Sequence, residues 1–351
     1  MITIICMAAL LLFLFAVVLF RDNKAREQSF FDVDTSTCMR GIWCIIVLLV
    51  HVPADYQNLI QDAFGSFGFI GVTFFFMTSS YGLVLNVQKS EERTIKGFWK
   101  RRLLKLLLPL VIVNIIKVVF ELCVNKDFKP LGLFGINIFL KQILFFYLLF
   151  WVVFKFFPKR MSQKAKCNVL CVCVVIFSVL IYCFEGSSFF SWPVESLGFL
   201  YGILLARYKD KFVGFARSKW LAKCICACGL SLITGISYLL FKKVAFFGDY
   251  LLRSVLGISI LAFILFLNSR LAFGNKISRF LGKISYEIYL LHLVVFDILM
   301  VICGKIDSGL YVILSIIATV CLSFIISIVS KKILYFIKKI SEKRKENVSK
   351  A

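Results

Sequence analysis

The sequence predicts an all-α, polytopic integral membrane bundle of about eleven transmembrane helices. Three observations carry that prediction. Sixty per cent of the 351 residues are hydrophobic and the mean hydropathy is +0.91, so too few polar residues remain to cover a soluble surface. The apolar runs are mostly about 18–25 residues long and lack ten-residue alternation, the pattern of spanning helices and not of barrel strands. Lysine and arginine gather in every second loop, as the positive-inside rule requires.

The apolar segments fall near residues 2–20, 38–53, 66–87, 104–124, 131–154, 167–184, 188–206, 220–241, 250–267, 280–301 and 309–334. Residues 2–20 are followed by Arg21, Lys24 and Arg26, and they lack both a basic start and a small-residue cleavage site. They read as a retained membrane helix and not as a signal peptide. The loops 88–105, 155–166, 207–223 and 270–283 are basic, as is the tail KKILYFIKKISEKRKENVSK. The intervening loops are poorer in cations, although Lys126, Lys129, Lys242, Lys243 and Lys305 fall on that side. The alternation places the basic loops and the C-terminus in the cytoplasm of a multi-pass cell-membrane protein. The organisation expected is an N-terminal helix and basic linker over 1–35, a membrane domain over 36–335 and a basic cytoplasmic tail over 336–351.

A net charge of +23 does not imply nucleic-acid binding, because the cations follow the loops and form no single basic face. Thirteen cysteines suggest neither disulfides nor a metal. Nearly all lie in apolar runs, and the Cys224, Cys226, Cys228 cluster has no histidine nearby.

His51 stands in the apolar run MRGIWCIIVLLVHV, eleven positions after Arg40. Titratable side chains are costly in hydrocarbon, so one found there marks a functional site. Eleven steps of about 100° come within about 20° of three turns, which puts both residues on one helix face roughly 16 Å apart. The second histidine, His292, also lies in an apolar stretch. Both histidines at membrane depth point to proton or acyl chemistry. Pro53 ends the helix carrying His51, and Asp55 could orient the imidazole only if that helix continued. Glu287 and His292 are about 140° apart on their helix and do not pair directly. Glu195 is an intramembrane acid whose partner the sequence does not name.

Four segments together resemble one family: the Arg40-x10-His51 spacing, GVTFFFMTSSYGL (71–83), FWKRRLLKLLLP (98–109) and LGKISYEIYLLH (281–292). They are similar to motifs of the acyltransferase 3 family, integral membrane enzymes that move acyl groups, often acetyl, onto sugars and other acceptors. The resemblance spans roughly residues 36–335 and implies a ten-helix core, with residues 2–20 as an added helix. Ser80 stands where the family usually has glycine. Lys105 stands where arginine is common, one residue further from Pro109 than usual.

The resemblance implies roles. His51 would be the general base that takes the acceptor hydroxyl's proton, or a nucleophile that carries the acyl group. Arg40 would hold a phosphate of coenzyme A or the thioester oxyanion. Arg101, Arg102 and Lys105 would bind the donor's phosphates. Ser79, Tyr286 and His292 would contact substrate. The donor expected is cytoplasmic acyl-CoA, most often acetyl-CoA, used as a substrate, with no permanently bound cofactor and no metal. The acceptor expected is a hydroxyl of a sugar or surface glycan. The competing reading is a transporter or lipid-linked glycan carrier without acyl chemistry. It would call for internal repeats and helix breakers, and the chain has five prolines and no visible repeat.

Overall fold

The computed structural model describes residues 2–19, 30–125, 130–158, 160–184 and 191–350, with the side chains of 18, 19, 125, 130, 131 and 341–350 outside the description. Arg21, Lys24, Arg26, Lys126, Lys129 and most of loop 184–191 lie outside the described residues. Within them the chain is helical and contains no strand. The helices are α1 (Ile2–Leu19), α2 (Val33–Val50), α3 (Leu59–Gly65), α4 (Gly68–Lys89), α5 (Glu91–Ile95), α6 (Phe98–Asn125), α7 (Ile138–Phe156) and α8 (Gln163–Cys183). They continue with α9 (Pro193–Arg207), α10 (Lys209–Arg217), α11 (Trp220–Phe241), α12 (Arg253–Asn268), α13 (Lys276–Lys283), α14 (Ser285–Cys303) and α15 (Ser308–Lys350).

Nine helical spans among the described residues are long and apolar enough to cross a membrane. The other two expected segments are helices as well. One is α1; the other, α9, has 15 residues and reaches only about 22 Å. The segment expected as a basic tail continues α15, which runs unbroken from Ser308 to Lys350.

Helix starts follow the polar residues that precede each apolar run. Asp32 accepts from the Thr35 amide at 2.8 Å to cap α2, and Asn137 and Ser162 do the same for α7 and α8. Asn275 and Ser278 form a capping box at the start of α13. Helix α2 stops at Val50, with His51 as its C-cap residue. The Gln61 side-chain amide then donates to the Leu49 carbonyl, satisfying an acceptor that the helix end would leave unpaired.

Packing relies on backbone contact where side chains are smallest. Cβ atoms on Gly198 and Gly202 of α9 would collide with the Thr73 and Met77 carbonyls of α4. This four-residue spacing of small residues lets two helices touch closely in a membrane. Gly202 also leaves room for the hydroxyl of Ser80, which is buried in the middle of α4 and bonds the Met77 carbonyl at 3.1 Å. Residue 80 therefore faces no turn; the demand at that position is space. Likewise Gly282 lies against the Thr37 carbonyl, seating α13 on α2.

Glu195 of α9 pairs with Arg253 of α12, whose guanidinium also lies 4.8 Å from the Phe69 ring centre. The carboxylate side chain is 2% exposed. Two variants test these contacts by thermal unfolding of the purified protein. Gly202→Leu should destabilise by about 1–3 kcal/mol through overpacking. Glu195→Ala should cost about 3–5 kcal/mol, because it leaves Arg253 without its counter-charge.

Candidate active site

Helices α2, α4, α6, α7 and α14 enclose a cavity of about 540 Å³. It adjoins a basic cavity of about 730 Å³, and the two share Asn86, Arg102, Leu106 and Tyr147 in their linings. The inner cavity gathers Arg40, Ser79, Arg102 and Tyr286, which lie far apart in sequence. The basic one adds Lys89, Arg93, Arg101 and Lys105. Six of the eight residues singled out in sequence thus line two joined spaces.

Tyr147 is the hub. Its hydroxyl oxygen accepts from Arg102 Nη1 at 3.2 Å and lies 2.7 Å from Ser79 Oγ. Arginine can only donate, so the phenol proton is free to go to Ser79 and leave the serine proton facing the cavity. The Arg102 guanidinium also lies over the Tyr147 and Phe98 rings, at 4.8 and 5.1 Å from their centres. Arg101 instead donates to the carbonyls of Arg93 and Thr94, which fixes the end of α5.

Arg40 donates Nη2 to Thr37 Oγ1 at 3.0 Å, and its buried Nε finds no acceptor. A cation with an unused N–H beside a cavity has the chemistry of an anion site. Tyr286 lines the same space, but its proton is committed to the Leu106 carbonyl at 2.8 Å. That contact braces α6 one turn before Pro109, which removes a helix hydrogen bond.

The two histidines meet beyond this cavity. Their rings lie 4.9 Å apart at 62°. His51 Nδ1 contacts the Val47 carbonyl at 2.8 Å and His292 Nδ1 the Ile288 carbonyl at 3.3 Å. A carbonyl can only accept, so each neutral ring carries its proton on Nδ1 and presents Nε2 as a bare lone pair. The Nε2 of His292 is buried and has no partner. Neither imidazole lines the cavity with Arg40; Tyr289 does, and its ring is 5.8 Å from that of His292. Asp55 sits exposed in the turn Ala54–Tyr56 with no hydrogen bond to His51.

Sequence reasoning missed Tyr147 and Tyr289. Tyr147 is the one hydroxyl in the run ILFFYLLFW, and a lone polar atom in so apolar a helix was its only signal. Tyr289 lies within the fourth motif, one turn before His292. Replacing Tyr147 by Phe should cost about 1 kcal/mol in thermal unfolding, since Arg102 keeps its ring contacts and loses its acceptor.

A family model described as an acyltransferase domain matches residues 33–328. No curated protein and no solved structure matches the chain significantly. The family match covers most of the chain, including both histidines and all cavity-lining residues except Phe31 and Asp32. The protein belongs to the acyltransferase 3 family and is a membrane acyltransferase.

Proposed function

We propose that this protein takes an acyl group, acetyl by preference, from cytoplasmic acyl-CoA and places it on a hydroxyl of a sugar or surface glycan. One observation carries the reading: a basic cavity joins, through Arg102 and Tyr147, an inner cavity that ends one helical turn from a pair of histidines. Coenzyme A needs cations for its phosphates at one end and a reaction centre for its thioester at the other. Arg102, Arg101 and Lys105 serve the first need at the mouth of the site. The acceptor would approach from the opposite face of the membrane, where the loops are poor in cations.

In the reaction, the acceptor hydroxyl attacks the thioester carbonyl while its proton passes to Nε2 of His51. A C–O bond forms and the C–S bond breaks. The coenzyme A sulfur leaves as a thiolate and takes up the proton, so no net proton is released. Arg40 acts on the donor and not on the oxyanion at His51, because eleven helical residues separate the two by roughly 16 Å. The unused N–H of Arg40 suits a phosphate or the polar arm of the donor. Ser79 and Tyr286 line the path of that arm, and His292 stands beside His51 as a second bare nitrogen. The buried Glu195–Arg253 pair, which a carrier reading would place on the transport path, lines neither cavity.

The test uses labelled acetyl-CoA and inside-out membranes that contain the protein. Wild type should release coenzyme A and label a glycan or lipid-linked sugar. His51→Ala should lower turnover by roughly 10²–10⁴ at equal abundance, the usual contribution of a general base. Arg102→Ala should raise the KM for the donor about tenfold, or ~1.4 kcal/mol. Label retained on protein in wild type and lost in His51→Ala would assign His51 as acyl carrier instead of base. A wild type that consumes no acyl-CoA would overturn the proposal.

A further inference from the structure

The inner cavity is layered, and each wall gives the same order. On α4 the lining runs from Asn86 at the basic mouth through Ser79 to Phe75. On α7 it runs from Tyr147 through Ile143 to Phe139, and on α14 from Ser285 through Tyr286 to Tyr289. Three helices therefore each end their contribution on an aromatic ring. At about 1.5 Å per residue these rings sit some 12–17 Å from the mouth on α4 and α7.

The three rings form one group. Phe139 lies 4.9 Å from Tyr289 and 6.2 Å from Phe75, centre to centre. Phe75 packs both against the core around the cavity and against the core that holds Leu48, Leu49 and Ile288 beside the histidines. Tyr289 is the ring that touches both sides: it lines the cavity and lies 5.8 Å from His292. The histidines are one turn further on.

From this placement the geometry points to Phe75, Phe139 and Tyr289 as an aromatic collar that selects short acyl groups. The inference rests on the acyl-CoA reading above. When a thioester entering from the basic mouth brings its carbonyl toward His51, its acyl substituent lies against these three rings. A methyl group needs little room there, whereas a longer chain must push aside rings held in a packed interior. Interiors of this kind resist added methylenes because the surrounding side chains cannot move without losing contacts elsewhere. The rings thus set a limit on size, and the cations at the mouth bind the same coenzyme A whatever it carries.

Non-transferable coenzyme A thioethers test this without needing the acceptor. The full-length protein, wild type and the variants Tyr289→Ala, Phe139→Leu and Tyr289→Phe, is titrated with S-ethyl, S-butyl and S-octyl coenzyme A. Wild type should bind the ethyl compound more tightly than the octyl one by at least on the order of tenfold. Tyr289→Ala and Phe139→Leu should each bring the two affinities within about threefold, mainly by improving the octyl compound, while Tyr289→Phe keeps the wild-type ratio. Thermal unfolding identifies which variants are folded, and Phe139→Leu carries the test if Tyr289→Ala is not. Equal binding of all three compounds by wild type, or an unchanged ratio in the folded collar variants, overturns the collar and leaves the donor reading intact. Binding of none of them by folded wild type overturns the donor reading and the collar with it.

Discussion

A membrane interior supplies no water, so every polar group placed there must be satisfied by the protein itself. That constraint organises this chain. It forces the backbone into helices, makes Gln61 complete the end of α2 and gives Glu195 its Arg253. It also makes the unsatisfied groups conspicuous. The Nε of Arg40 and the Nε2 of His292 are among the buried atoms without partners, one beside the inner cavity and the other beside His51.

The bundle was legible in sequence because hydropathy and loop charge are local properties. Each expected apolar segment became a helix, and errors of boundary came from cues that hydropathy does not weigh. The segment expected at 104–124 begins at Phe98, since Lys100, Arg101, Arg102 and Lys105 are as helical as leucine though far less apolar. The short segment at 38–53 starts at Val33 because Asp32 caps it, and ends at Val50. Pairings across the fold were not legible. Glu195 and Arg253 are 58 residues apart, and no spacing rule joins them.

The site divides along the same line. Arg40, Ser79, Arg102 and Tyr286 lie in the sequence motifs, and the fold gathers them around one cavity. Arg40 and His51 share a helix face in the sequence pattern, whereas the cavity holds Arg40 and the histidines meet beyond Tyr289. Tyr147 had no motif, yet it ties α4 to α6 through Ser79 and Arg102. Its role arises from three helices meeting, which a linear pattern does not encode.

The glycines of α9 carry a mechanical consequence. Where backbone rests on backbone there is no side chain to re-rotamer and nothing to slide, so α4 and α9 behave as one stiff beam. The opposite walls are joined through side-chain tips: Arg102 on Tyr147, and Tyr286 on the Leu106 carbonyl. Such links open and reform far more readily than a helix seam. Helix α6 also carries Pro109 in its interior, where the backbone ladder lacks a hydrogen bond, so the compliance of the site belongs to α6. The cavity thus has a stiff wall and a more compliant one, and it is the stiff wall that presents Ser79 and Phe75.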